Sequence, residues 1–587
     1  MPSKEYTQLP LHEDGLPAAA PKRIGGWKVG IPLGILFLLV TAMGTGFAGC
    51  KDKMNGLGLM GAHGKGMHGS HSASLAASAC PVQPAPRSVG IDWNPAADED
   101  YARMAAARLS AAVQIQTVSY DDLPQDPENE RFDGHYEFAR WMGSTFPTVY
   151  ASLEHEMINT HGHLFTWRGT KQGGKPIMLM AHEDTVPVNP DTVDQWTYPP
   201  WSGAVTDDAT PNTPGTWIWG RGSSDCKNSL VGILGAIERL IEEDYVPERD
   251  VLIAYGFDEE IGGGRGARPI AAVIEERYGQ DGVAFIIDEG FSGIQDVYGT
   301  RIAALGMAEK GSVSVNVKVD TPGGHSSVPP IHTGIGLMSR LLTTLEDNPY
   351  PPSLEAGAPY LSYLSCLAAF APEFPPKLAK RLRNPKDWPQ LAKDMAADDR
   401  IVNSFLATST AIDLIRGGVK VNALPETVEA TVNHRIAFTS SVNETLQHYL
   451  DLLVPQTEKL GLTADFFGHE HGKSDRHVTF SIVGNEHKSG LEPAPITPSD
   501  SEAFAFIGGT IRAVFGDHTV ITPTGMFANT DTARTWALTK HIYRFTPAYM
   551  EETVAPHTVD ERISLRAHLS TTQFYHRLIR NLEGWQS

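Results

Sequence analysis

Three short apolar runs each end in side chains able to hold a metal ion. IMLMA (177–181) is followed by His182 and Asp184, VLIAYGF (251–257) by Asp258, Glu259 and Glu260, and VAFII (283–287) by Asp288. A further acid, Asp225, ends the loop GRGSSD (220–225) just ahead of a helical pattern, where the helix N-terminus favours a carboxylate. Singly, each residue has an ordinary use: a histidine after a strand is hydrogen-bonded filler, an aspartate before a helix is a cap, and paired glutamates are solvated charge. Together, imidazole and carboxylates at successive strand ends suit zinc, and a carboxylate between two ions can bridge them. Serine chemistry lacks its signatures. There is no Gly-x-Ser-x-Gly, and the Ser-x-x-Lys match at Ser224–Lys227 has no companion motifs. His-Glu-x-x-His is absent as well.

The elements that must position these residues are legible. The continuous apolar runs read as strands buried on both faces. Between them Leu230, Ile233, Leu234, Ile237, Leu240 and Ile241 recur at helical spacing. This alternation predicts an α/β fold with a central, mostly parallel sheet, and in such sheets ligands bind beyond the carboxyl ends of the strands. A chain of 587 residues exceeds one compact core. The net charge of −21 argues against a nucleic-acid-binding surface, which needs clustered basic residues. Four cysteines (Cys50, Cys80, Cys226, Cys366) cannot form a dense disulfide framework and neither require nor exclude an oxidising compartment.

Residues 29–49, VGIPLGILFLLVTAMGTGFAG, are uncharged. As a helix they would extend roughly 30 Å, enough to cross a bilayer core. The preceding residues 1–28 contain Glu5, Glu13 and Asp14, too acidic for a signal peptide, so the reading is a cytosolic tail and an uncleaved transmembrane anchor. Basic residues flank the stretch about equally (Lys22, Arg23 and Lys28 against Lys51, Lys53 and Lys65), so charge does not orient it. Residues 50–94, rich in Gly, Ala, Ser and Pro, read as a flexible linker. Within it GLGLMG (56–61) matches a dinucleotide fingerprint by letter only, with no strand before it and no helix after.

From about residue 95 onward, ten motifs stand in one order: AHEDTVPVN (181–189), PPWSG (199–203), GRGSSDCK (220–227), FDEEIGG (257–263), IIDEG (286–290), TPGGHSSVPP (321–330), GGVKVNALPE (417–426), NHRI (433–436), NTDTART (529–535) and PHTVDERI (556–563). In these the chain resembles the two-zinc metallopeptidases that include aminoacylase and glutamate carboxypeptidase, and within them the carboxypeptidase S branch.

The resemblance implies a catalytic domain in two parts, 95–310 and 484–587, interrupted by a smaller α+β lid at 311–483 with an insertion at 346–412. It implies that His182 and Asp288 hold one zinc, Glu260 and His557 the other, and that Asp225 bridges both. It also implies that Asp184 orients His182, that Glu259 is the general base, that His325 donates to the developing oxyanion from the lid, and that Arg435 and Asn422 bind substrate. Cys226, directly after Asp225, is a departure whose thiol could reach the metal. Asn443–Thr445 forms a sequon and opens a helical stretch, so Asn443 is read as an N-cap, a glycan site or both.

The function so implied is a zinc carboxypeptidase acting on small peptides. The alternatives left open are an N-acyl-amino-acid hydrolase and a binding protein that has lost catalysis. The expected partners are the substrate, the membrane through the N-terminal helix and a second copy through the lid. The resemblance places the catalytic part in a vacuolar or lysosomal lumen or outside the cell.

Overall fold

The computed structural model describes residues 80–586 except Gln172, 208–214 and 484–489. Its strands are β1 (Glu154–Ile158), β2 (Gly162–Trp167), β3 (Ile177–His182), β4 (Val251–Gly256), β5 (Phe285–Val297), β6 (Thr300–Glu309), β7 (Gly311–Asp320), β8 (Gly324–His325), β9 (Ser409–Gly417), β10 (Ala423–Leu424), β11 (Thr427–Ile436), β12 (Thr463–Phe466), β13 (His469–His471), β14 (His477–Val483), β15 (Val520–Met526) and β16 (Ile542–Tyr549). Two-residue and three-residue strands at 205–206, 217–219, 553–554 and 562–564 form a small separate sheet. The helices needed below are α1 (Glu99–Gln114), α2 (Lys227–Glu242), α3 (Gly334–Glu346), α4 (Pro359–Phe370), α5 (Arg400–Leu406), α6 (Val442–Leu460) and α7 (Leu565–Arg580).

The catalytic layer is an eight-stranded sheet in the order β1-β2-β4-β3-β5-β16-β6-β15. β3 and β4 are buried along their whole length, as their unbroken apolar runs require. The sheet is mixed rather than mostly parallel. Parallel pairing joins β4 to β3, β3 to β5, β5 to β16 and β6 to β15, whereas β1–β2 and β2–β4 are antiparallel and β5 turns straight back into β6. A two-residue connection allows only an antiparallel return, which an unbroken apolar pattern does not reveal. α2 and α7 cover one face, with Leu230, Ile233, Leu234 and Ile237 of α2 in one core with Phe574, Tyr575 and Leu578 of α7.

The lid is a six-stranded sheet, β9-β11-β7-β14-β12-β13. Val313, Val315, Val317 and Val319 alternate inward along β7. Val315, Val317 and Val319 pack with Leu337, Leu341 and Leu345 of α3 and with Tyr449 and Leu453 of α6. At the junction between β6 and β7, Glu309 pairs with Arg544 at 3.2 Å, and Lys310 Nζ donates to the carbonyls of Ser404 and Ala407 at 3.0 and 2.7 Å. The end of α5 is thereby fixed to the point where the chain enters the lid. α6 is capped by Ser441, whose hydroxyl accepts from the Glu444 amide, so Asn443 is not the cap.

The insertion expected at 346–412 carries helices between Pro359 and Leu406, and β9 already begins at Ser409. Its helices pack on the catalytic sheet: Tyr360, Leu364 and Leu367 share a core with Ile302, Ala304 and Val520, which covers the edge strand β15. A disulfide joins Cys366 of α4 to Cys80.

Two expectations for the N-terminal part need correction. From Cys80 onward the expected linker is docked: Gln83 donates to the Ile521 carbonyl at 3.0 Å, and the Arg87 guanidinium donates to the Asn581 carbonyl at 2.9 Å. The expected single-pass membrane protein has no support. Residues 29–49 lie outside the described residues, and among the described residues no helix is long and apolar enough to cross a membrane.

Candidate active site

β3 and β4 end side by side, and beside them β5 passes its opening residues Phe285–Ile287 along β3 before continuing to Val297, so that Asp288 and Glu289 lie inside the strand and near the Asp225 loop. His182 closes β3. Its Nε2 lies 3.2 Å from Asp225 Oδ1, 3.2 Å from Glu289 Oε1 and 3.9 Å from Glu259 Oε2. Asp225 Oδ2 lies 3.0 Å from His557 Nε2, and that nitrogen lies 3.2 Å from Glu260 Oε2. Each Asp225 oxygen therefore faces a different histidine, the arrangement a bridging carboxylate needs.

Asp184 organises this cluster from beneath. It is fully buried, its Oδ1 lies 3.3 Å from His182 Nδ1, and its two oxygens accept the amides of Glu259 (3.1 Å) and Glu260 (3.2 Å). Asp184 thus fixes the imidazole, whose Nδ1 also lies 3.0 Å from the Asp184 backbone carbonyl, and its carboxylate fixes the loop that carries both glutamates. His557 holds a left-handed backbone (φ +61°), uncommon for a residue with a side chain and concentrated at functional sites.

The electrostatics fit a cationic centre. Burial works against charge on Asp225, but hydrogen bonds from His182 and His557 overcome it and hold the carboxyl well below the usual range. Hydrogen bonds to Asp225 and Glu260 raise His557 to about 11. Burial pushes Glu260 up to about 7, with the Asp225 charge adding to it. Glu259 and Glu289 are likewise pushed up, chiefly by burial. Carboxylates crowded this closely resist ionisation until positive charge joins them. The donor atoms of His182, Asp225 and Glu260 lie within 4.8 Å of one another, as do those of His182, Cys226 and Glu289. The nitrogen and oxygen donors of these groups fit two dications.

At one position the structure places a different carboxylate from the one expected beside His182. Glu289, not Asp288, stands beside His182. Neighbouring residues of a strand point to opposite faces, so only one of the pair can face the cluster. Asp288 turns its carboxyl inward, where Oδ1 accepts the Glu289 amide at 2.8 Å and Oδ2 has no hydrogen-bond partner. Burial and the Glu289 charge push its pKa up to about 8.

The lid residues stand apart from the cluster. His325 is exposed on β8, its Nδ1 accepting the Ser327 amide at 3.1 Å. Asn422 adjoins it through the β8–β10 pairing, with its carbonyl taking the Ser326 amide at 3.3 Å. No hydrogen bond or ion pair among the described residues joins either to the cluster. Arg435 on β11 reaches across to the catalytic part, where Nη1 donates to Asn529 Oδ1 at 2.9 Å.

Sequence reasoning missed Glu561. Its side chain is fully buried. Oε1 accepts the amides of Gly222 (3.0 Å), Ser224 (3.1 Å) and Asp225 (3.3 Å) and the Ser224 hydroxyl (3.1 Å), while Oε2 pairs with Arg221 at 2.6 Å. The loop carrying Asp225 is thus tied to the segment carrying His557. An acid four residues beyond His557 was visible in PHTVDERI, but nothing in the spacing linked it to a loop more than 300 residues earlier.

Residues 178–581 match the family model described as peptidase family M20/M25/M40. The chain belongs to this family. Among its M20 relatives, carboxypeptidase S of Saccharomyces cerevisiae is 36% identical over 505 residues, covering 83% of this chain and 86% of the relative. The human N-fatty-acyl-amino acid synthase/hydrolase PM20D1 is 32% identical over 484 residues, covering 81% and 87%. The M20 metallo-carboxypeptidase Sso-CP2 of Sulfolobus solfataricus has the same fold, with a TM-score of 0.56, 16% identity and coverage of 82% and 99%. Membership of the M20 family makes the chain a hydrolase with a catalytic and a lid domain.

Proposed function

We propose that this protein is a metallo-carboxypeptidase that removes the C-terminal residue of small peptides, with two zinc ions at the cluster. The observation that carries the reading is Asp225, each of whose oxygens faces a different histidine. His182 and Glu289 would hold one ion, His557 and Glu260 the other, and Asp225 both. Two such ions supply carbonyl polarisation and a water acidic enough to ionise near neutrality.

The chain's own groups do the rest. Glu259 lies 3.9 Å from His182 with its backbone fixed by Asp184, and its raised pKa suits a base that takes a proton from water and returns it to the leaving amine. Arg435 offers a planar fork for the substrate's free carboxylate. His325 and Asn422, exposed on the lid hairpin, would act once the lid closes over the cluster, His325 by donating to the oxyanion. The relationship to carboxypeptidase S favours peptides over N-acyl amino acids as substrate. The reading includes a second copy docked through the lid: among the described residues β9 pairs on one side only, with β11, and leaves Leu414 and Ile415 exposed, and an antiparallel copy would pair its free edge.

Glu259→Gln tests the assignment. Turnover of an N-blocked dipeptide should fall by about 10²–10⁴-fold, the range for a lost general base, while two zinc ions per chain remain bound. Loss of one ion would make Glu259 a ligand instead.

A further inference from the structure

Cys226 follows Asp225 and opens into the same cluster. It is 1% exposed, and its Sγ lies within 4.8 Å of donor atoms on both His182 and Glu289. In the described residues it is the one free thiol, because Cys80 and Cys366 are joined. Its other neighbours belong to the main apolar core, which includes Leu230 and Tyr255. A buried cysteine amid apolar residues is usually a small hydrophobe. Here one side of it meets apolar packing and the other meets an imidazole and a carboxylate that already converge.

We propose that Cys226 is a ligand of the ion at His182, so that one half of the centre has nitrogen, oxygen and sulfur donors and the other half nitrogen and oxygen only. This rests on the two-ion reading above. Zinc takes sulfur at about 2.3 Å and nitrogen or oxygen at about 2.0–2.2 Å, so tetrahedral donors lie about 3.3–3.8 Å apart. Donors within 4.8 Å of one another close to that spacing by small side-chain movements. On binding, the thiol proton leaves to solvent and the thiolate takes its place on the ion. A thiolate biases that half towards soft dications such as Zn²⁺, Co²⁺ and Cd²⁺ and away from Mn²⁺ and Mg²⁺. Among the described residues no sulfur joins His557 and Glu260, which keep the harder preference. The two halves are therefore chemically unequal.

X-ray absorption at the zinc edge of the zinc-loaded full chain tests this without a variant. The expected spectrum contains a sulfur shell at about 2.3 Å, averaging one sulfur per two zinc ions. Cys226→Ser should remove that shell, keep the zinc, and lower the preference for Cd²⁺ over Mn²⁺ by about tenfold or more, the scale on which groups around a metal tune affinity. Cobalt-loaded protein should show a thiolate-to-cobalt charge-transfer band that Cys226→Ser loses and Cys50→Ser keeps. Two zinc ions with only nitrogen and oxygen scatterers would overturn the Cys226 assignment and leave the two-ion centre standing. Failure to bind zinc at all would overturn both.

Discussion

Glu561→Gln isolates the group that ties the Asp225 loop to the His557 segment. In the parent, the Arg221–Glu561 pair is 2.6 Å long, and both side chains are nearly or fully buried. A glutamine keeps one oxygen, which can still accept the amides of Gly222, Ser224 and Asp225. Its amide nitrogen, however, faces the Arg221 guanidinium, donor against donor, and leaves a cation buried without its counter-charge. Removing one member of a buried pair costs about 3–5 kcal/mol. The loop can relieve part of that only by shifting, and a shift moves Asp225 away from one of its two histidines. Stability and metal affinity should therefore fall together, the latter by about 10–100-fold. Denaturant unfolding of the metal-free protein and a zinc titration by calorimetry measure the two effects. The double variant Arg221→Met, Glu561→Gln removes the stranded cation and should regain about 1–3 kcal/mol over the single variant, the cost of a buried unsatisfied donor. A single variant with parental unfolding and parental zinc affinity would refute the argument, and a double variant no more stable than the single would refute its electrostatic basis.

Arg435→Lys should weaken kcat/KM for free-acid dipeptides by about 1–3 kcal/mol, because an ammonium cannot reproduce the two parallel hydrogen bonds of a guanidinium, whereas C-terminally amidated peptides should be poor substrates for both proteins. Efficient cleavage of amidated peptides by the parent would contradict the carboxypeptidase reading. His325→Ala should lower kcat by about 10²–10³-fold at unchanged zinc content, and an effect confined to KM would make it a binding contact only. Lys310, held down to about 7 by burial and by Arg435 nearby, is neutral in the folded chain over a range where the unfolded chain keeps the proton. Between about pH 7 and 10 the unfolded state therefore binds more protons and stability should rise with pH; Lys310→Met should flatten that slope in denaturant titrations, and an unchanged slope would assign it to other groups.

β3, β4 and the opening of β5 were readable because their apolar runs depend on local composition, and the polar residues that follow each run are adjacent in sequence, although β5 itself continues past its run to Val297. His182, Asp184, Glu259 and Glu260 could be picked out in this way, as could Asp225 ahead of α2. Choosing between Asp288 and Glu289 depended on which side of β5 faces the cluster. Strand parity decides that, and the parity is set by packing between sheet and helices rather than by the run itself. The mixed pairing of the sheet escaped for a related reason: an apolar run records burial on both faces but not the direction of the neighbouring strand. His557 entered the sequence reading only through resemblance, since its meeting with Asp225 closes a loop of several hundred residues that no local pattern encodes. Glu561 and the placement of Cys226 against His182 and Glu289 required the assembled fold. A buried carboxylate is recognisable by the donors that surround it, and a ligating thiol by the converging atoms beside it, and both sets of partners come together only when distant segments pack.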